Sequence, residues 1–360
     1  MIRNEYVTAK RTMDQRDWLT DSPVLELAGQ LPHAAPAGLP LKNYLNTRGR
    51  LHHEAMYFPL GFPLRVLSNS ADVLAAAKES WDWFHPVFHR EPLEILLYVK
   101  PGTGTDGPLP PAPTFMQKGP LLLQAADFDN FFIADLNMGR ALGKVTEAAA
   151  ASPKYLRWHF IEAAALCMMS TLRAVAVHAA CVRVGGKGIL LCGDSGDGKS
   201  TLAFAGARSG WTYVTDDASY IPMDREDRLV LGNCSRVRFR PSCVEIFPEL
   251  AGRELTPRST GKPSIELSTS EWPDILTAKA SFVDYIVFLN RKDVSAQELV
   301  PLESSVVWPW FKGHVLSTPE TRPRQEAAFS RLLGAGTFQL RYRDLGWAID
   351  RINLLATRGS

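Results

Sequence analysis

The sequence predicts an α/β protein, a phosphate-loop domain on a mixed sheet preceded by a smaller α/β domain. Three observations carry that expectation. A glycine-rich run stands between an apolar, strand-like segment and a helix-forming one, the strand–loop–helix unit of nucleotide-binding domains. From Ala174 onward, short β-branched and apolar runs recur between tight turns, as in a sheet. With 360 residues the chain is long enough for a large core and for two domains, and the helix opened by Ser152-Pro153 leads directly into the glycine-rich-loop region, which places a boundary near 150. We therefore divide it into domains 1–150 and 151–360.

The composition, 46% hydrophobic and 22% charged, is that of an ordinary globular protein. A net charge of +2 gives no electrostatic case for nucleic acid or a membrane as partner, whereas a nucleotide needs only a local positive site. The five cysteines (Cys167, Cys181, Cys192, Cys234, Cys243) have no C-x-x-C spacing, and their odd number argues against a disulfide framework. Several lie in apolar runs, which points to buried thiols in a reducing compartment. The N-terminus opens polar, without the apolar core of a signal peptide, and no uninterrupted apolar segment is long enough to span a bilayer. The expected location is the cytoplasm.

Residues 1–55 are polar and proline-punctuated and read as a peripheral arm, with one short helix over 22–28 capped by Ser22. An apolar run over 57–67 contains prolines that favour an edge or bulged strand. Ser70 caps a helix over 71–84, and a strand follows over 93–99. A Pro/Gly-rich exposed loop occupies 101–113. Strand-like segments return over 121–124 and 130–135. Ser152, as N-cap, and Pro153, at the first helical position, open the longest helix, which runs to Leu172 and leads into the second domain.

There, residues 175–184 read as one strand. Alternation puts Ala176, His178, Ala180 and Val182 on one face and Val175, Val177, Ala179, Cys181 and Arg183 on the other. Gly185-Gly186 turns the chain back into 188–192, so the hairpin's second strand carries the glycine-rich loop. After the loop helix, Gly210 suits a C-cap, and a β-rich strand over 211–215 ends in Asp216-Asp217. A polar, basic stretch over 253–263 is a candidate lid. A central strand over 282–289 ends at Asn290-Arg291-Lys292, and Arg291 is one more basic residue within reach of a nucleotide. An amphipathic segment (320–333), a strand (337–342) and a closing helix (345–355) complete the fold.

The chemistry sits in the loop. Gly193, Asp194, Ser195, Gly196, Asp197, Gly198, Lys199 and Ser200 fit G-x-x-x-x-G-K-[ST]. The glycines let backbone N–H groups approach phosphate oxygens closely, and the following helix adds its unpaired donors. Lys199 suits the terminal phosphates as a mobile point charge, and the Ser200 hydroxyl suits Mg²⁺. Thr201 continues the motif. Two acids ending an apolar strand soon afterwards supply what phosphoryl transfer needs: a metal ligand or orienter, and a base for an incoming hydroxyl. Arg236, Arg238 and Arg240 alternate and so project to one strand face, either as a phosphate clamp, with Arg240 the best placed, or as a solvated edge.

His178-Ala179-Ala180-Cys181, the loop with its G-D-S-G start, Gly210 and Asp216-Asp217 together resemble the catalytic domain of HPr kinase/phosphorylase and related proteins. The resemblance is strongest over 178–217. It implies a phosphoenolpyruvate-carboxykinase-like P-loop fold with a strongly bent mixed sheet, and transfer of phosphate from a nucleotide to a serine hydroxyl. By that resemblance Asp217 is the base and His178 sits beside the phosphates and the acid pair. Lys199 holds the β and γ groups, Ser200 ligates Mg²⁺ and Asp216 helps order the metal. Two departures stand out. The family has Glu after the loop serine, where this chain has Thr201. Its metal-binding Glu-Ile-Arg-Gly stretch is replaced by residues 234–242, with Glu245 the nearest acid.

The resulting expectation is an ATP- and Mg²⁺-dependent kinase acting on a hydroxyl of a peptide, protein or small molecule that the N-terminal domain presents or recognises. The same groups would serve a reverse phosphorylase reaction, and a homo-oligomeric state is left open. Two rivals are a nucleotide-binding sensor or scaffold with weak or no transfer, and a carboxykinase-like small-molecule enzyme, for which the sequence offers no second metal-ligand cluster.

Overall fold

The computed structural model describes residues 51–257, 263–292, 294–312 and 319–358. Among them the strands form four sheets, of seven, six, four and three strands, in a mixed α/β architecture. The short helix expected over 22–28 and most of the arm over 1–55 lie outside the described residues.

The first sheet contains β1 (His53–Tyr57), β2 (Leu64–Ser68), β3 (Leu93–Lys100), β4 (Thr114–Lys118), β5 (Leu121–Ala125), β6 (Phe131–Asp135) and β7 (Arg140–Thr146), ordered β1-β2-β3-β7-β6-β5-β4. β2, β3 and β7 are parallel neighbours and the other pairings are antiparallel. Helix α1 (Ala71–Trp81) begins at Ser70, whose hydroxyl accepts the Asp72 N–H at 3.2 Å. It ends short of the expected Phe84, whose N–H instead turns back to the Trp81 carbonyl at 3.0 Å. Strands β1, β4 and β7 were not anticipated: their polar and apolar residues mix over five to seven positions, too few for a clear apolar run.

The long helix α2 has three parts, Pro153–Leu156, a π-helical turn Arg157–Glu162, and Ala163–Leu172. Ser152 precedes it as expected, but its side chain makes no capping bond. The π turn widens the helix where Arg157 and His159 must be buried, at 0% and 1% exposure. Beyond it, Ala164, Ala165, Met168 and Met169 enter one core with β2, β3 and α1 that also takes in Tyr220 and Leu231. That core therefore runs past residue 150.

The strand expected over 175–184 is two strands in two sheets. β8 (Ala174–Val177) pairs with β12 (Ser219–Pro222) in the four-stranded sheet β17-β13-β12-β8, completed by β13 (Leu229–Gly232) and β17 (Ala280–Phe282). β9 (Ala180–Val184) belongs to the six-stranded sheet β11-β9-β10-β18-β20-β19. Its other strands are β10 (Lys187–Cys192), β11 (Thr212–Thr215), β18 (Tyr285–Asn290), β19 (Glu298–Pro301) and β20 (Gly336–Arg341). The break falls at His178 and Ala179, where the Ala179 N–H closes a tight turn onto the Val177 carbonyl at 2.8 Å. One face survives it: Val175, Val177, Ala179 and Cys181 share a core. The other opens, Ala176 packing against the first core and Ala180 and Val182 against another, with His178 between them. β11 and β12 make the same change of sheet across 216–218, so His178 and Asp217 meet where both strand pairs divide.

Helix α3 (Lys199–Arg208) packs on the six-stranded sheet, together with α6 (Leu345–Arg358) and a three-stranded sheet of β14 (Arg236–Phe239), β15 (Leu255–Pro257) and β16 (Pro263–Ser268). Helices α4 (Ser304–Lys312) and α5 (Arg322–Leu332) cover the opposite face. The candidate lid over 253–263 ends in paired strands on both sides, β15 and β16, and its middle, 258–262, lies outside the described residues. No helix of the described residues is long and apolar enough to cross a membrane. All five cysteines are free, three of them buried.

Candidate active site

β10 runs directly into the glycine-rich loop, and α3 starts at Lys199. Gly198 precedes the helix at φ +93°, and a Cβ there would stand 2.7 Å from the Tyr342 hydroxyl, so both conformation and space require glycine. No side chain caps α3, which leaves its first-turn N–H groups open to an anion. Within the loop Asp197 folds back, its carboxylate accepting the Asp194 N–H at 2.6 Å. The Lys199 side chain is 5% exposed, and its Nζ donates to the carbonyls of Gly193 at 2.8 Å and Asp194 at 3.0 Å. Burial lowers its pKa, against the attraction of nearby acidic groups that include Asp197 and Asp217. The ammonium thus rests on loop carbonyls that phosphate oxygens would replace as acceptors.

The acid pair faces this loop. The Ser200 hydroxyl lies 3.5 Å from the Asp216 carbonyl, linking the start of α3 to the end of β11. Asp216 is buried and doubly held: the Tyr213 hydroxyl donates to Oδ1 at 2.9 Å and the Arg238 N–H to Oδ2 at 3.1 Å. Burial and the neighbouring Asp217 push its carboxyl up to about 6, against the pull of those two donors. Asp217 is partly exposed. His178 Nδ1 lies 3.2 Å from the Asp217 carboxylate and 3.0 Å from its carbonyl.

Three basic residues complete the loop's surroundings. Arg240, just past β14, donates from Nη2 to the Ser195 hydroxyl at 2.7 Å and lies against Gly196. Arg236 and Arg238, predicted to share its face, instead pair with Glu266. Arg291, at the end of β18, packs against Gly198 and over the Tyr342 ring at 5.4 Å. Lys292 places Nζ 3.5 Å from Asp194 and 3.7 Å from Asp197, offsetting two acids of the loop. Lys292 and Tyr342 were not singled out from the sequence. The usable signal was positional, since β18 is the parallel neighbour of β10 and its C-terminal end must reach the same edge.

The Ser200 hydroxyl and the Asp216 backbone carbonyl at 3.5 Å are hard oxygen donors of the kind Mg²⁺ takes alongside its waters, while both Asp216 carboxylate oxygens already accept from Tyr213 and Arg238. Among the described residues no group of three or more His, Cys, Asp or Glu side chains could hold a metal ion, and Glu245 is exposed.

No protein-family model matches the chain, and no curated protein matches it. Among solved structures, the HPr(Ser) kinase/phosphatase from Coxiella burnetii matches 51% of this chain and 93% of that one, at 12% identity and a TM-score of 0.29. This is a distant likeness at the level of the fold, and the reading of the site rests on its own residues.

Proposed function

We propose that the protein is an ATP- and Mg²⁺-dependent phosphotransferase that moves the γ-phosphate to a hydroxyl, serine first among the candidates, with Asp217 as base. The observation that carries this reading is the convergence of the glycine-rich loop with the strand end that bears the acid pair and with a histidine: the Ser200 hydroxyl lies 3.5 Å from the Asp216 backbone carbonyl, and His178 lies 3.2 Å from the Asp217 carboxylate. Lys199, Arg240 and the open N–H groups of α3 would bind the phosphates and neutralise their charge, the main catalytic task in phosphoryl transfer. Asp217, more exposed than Asp216, would take the acceptor's proton, and His178 would orient its carboxylate. Ser200 and Asp216 would hold Mg²⁺, which when bound draws charge from the phosphate oxygens. In this reading the second domain has a carboxykinase-like arrangement, and residues 1–150 present or recognise the acceptor, a peptide, protein or small molecule.

The test is incubation of pure protein with γ-labelled ATP, Mg²⁺ and cell extract. Label should pass to an acceptor and be lost in Asp217→Ala, while Lys199→Ala should weaken both nucleotide binding and transfer. Tight ATP binding with no transfer would select a nucleotide sensor, and a Lys199→Ala protein with unchanged binding and turnover would end the reading altogether.

A further inference from the structure

Six charged side chains lie behind the acid pair, away from the phosphate loop. Glu266 on β16 is 7% exposed and takes the guanidinium groups of three arginines: Arg157 at 2.5 Å, Arg238 at 2.7 Å, and Arg236. Glu162 of the π turn lies 3.2 Å from Arg157 and 3.7 Å from Arg238. Glu79 of α1 lies 3.1 Å from Arg236 and 3.7 Å from Arg157. The Trp158 ring lies under Arg157 and Arg238, at 5.2 and 5.9 Å. Three cations meet three anions, so the charges balance.

The same strand that carries two of these arginines holds Asp216 with its backbone. The Arg238 N–H donates to Asp216 Oδ2, and the Tyr213 hydroxyl lies 2.9 Å from Asp216 Oδ1 and 3.0 Å from the Arg236 carbonyl. Both oxygens of the buried acid are therefore referred to β14, and the side chains of β14 are referred to β16, α1 and the π turn of α2. A buried carboxylate held this way moves when β14 moves, since close-packed interiors transmit displacement.

We infer that this Arg–Glu cluster is a clamp that sets the position of Asp216, with Glu266, Arg236 and Arg238 as positioning residues, and that Glu79 makes that position depend on how the first sheet's unit is docked. A ligand or acceptor bound by that unit is then felt at the acid pair through α1 and β14. The catalytic consequence rests on the phosphotransfer reading; the geometric one does not.

The experiment uses full-length protein labelled with ¹³C at aspartate carboxyls, with the Asp216 resonance assigned by its loss in Asp216→Asn. Asp129, held by Lys100 and Lys144 at 2.8 Å each in the first sheet's unit, is the internal control. Arg236 and Glu79 line an open cleft of about 510 Å³, so Arg236→Met and Glu79→Gln should fold even where Glu266→Gln does not. At fixed pH the Asp216 resonance should shift in these variants while that of Asp129 stays. Turnover, where the wild type shows it, should fall on the order of 10- to 100-fold in kcat, as for a small misplacement of a reacting group, with KM for ATP unchanged. An Asp216 resonance unmoved in folded variants overturns the clamp, as does an unchanged kcat. A wild type without turnover ends the kinase reading and leaves the carboxyl shift to decide this one.

Discussion

Arg240 shows what a single side chain does at this site. It is exposed, lies outside the core, and donates a charge-assisted hydrogen bond to Ser195 in the loop. Removing it should therefore separate binding from stability. In Arg240→Ala the dissociation constant for ATP, measured by calorimetry, should rise about tenfold, in line with about 1.5 kcal/mol for a hydrogen bond to a charged group. The thermal midpoint should stay within about a degree, because surface substitutions away from packed features cost little. Lys199 differs in kind: it is buried and its ammonium rests on Gly193 and Asp194, so its loss touches the loop's shape as well as its charge. Gly206 is the counterpart for packing. A Cβ there would stand 2.0 Å from the Trp211 ring, which lies across α3 to start β11. Gly206→Ala should destabilise the protein by about 1–3 kcal/mol in urea melts, as overpacking does, although alanine is otherwise the better helix residue.

At the scale of elements, the long helix α2 shows what the sequence could and could not tell. Its start at Pro153, its length and its apolar stripe were legible because they depend on local spacing. The π turn was not, because it answers to Arg157 and His159, whose burial is decided by partners far along the chain. The glycine-rich loop, its flanking strand and helix, and the proximity of Asp216-Asp217 to it were legible in the same local sense. The division of 175–184 between two sheets was not: no residue there breaks a strand, and the bend comes from β11 and β12 changing sheets alongside. The pairing of Arg236 and Arg238 with Glu266 was equally hidden, since alternation gives a face but not what covers it. His159 offers a direct test of the π turn. Burial lowers its pKa to about 4 from an ordinary 6.5, and its Nδ1 has no hydrogen-bond partner among the described residues. Its folded form is thus neutral, so the stability tied to it is complete above pH 6.5 and is lost as pH falls through about 4. Denaturant midpoints measured across that window should fall more steeply for the wild type than for His159→Leu. Taking the difference between the two curves removes the opposite contribution of Asp216, whose raised carboxyl favours the folded state at lower pH.

For the whole molecule, the question is what ties the first sheet's unit to the sheets that carry the site. Apolar packing, along α2 and at Tyr220 and Leu231, is one answer; polar contacts such as Arg90 with Asp224 at 3.1 Å and Lys279 with the Trp83 carbonyl are another; and the Arg157, Arg236, Arg238, Glu79, Glu162 and Glu266 cluster is a third. A buried ion cluster is a poor source of net stability, because desolvation offsets most of the attraction, but removing one partner leaves charges stranded. Glu266 is the partner whose loss strands most. Burial opposes its ionisation, yet Arg238, Arg157 and Arg236 together hold its carboxyl down to about 2 from an ordinary 4.5. The depressed value means that its contribution is complete above about pH 4.5 and is lost as pH falls through about 2, a window below that of His159. Glu266→Gln should cost about 3–5 kcal/mol at neutral pH, the usual penalty for breaking a buried pair. It should also flatten the decline of stability between pH 4.5 and 2, measured as urea midpoints at closely spaced pH. A variant as stable as the wild type at pH 7, or one with an unaltered acid slope, would mean that the cluster does not hold the first sheet to the sheets that carry the site.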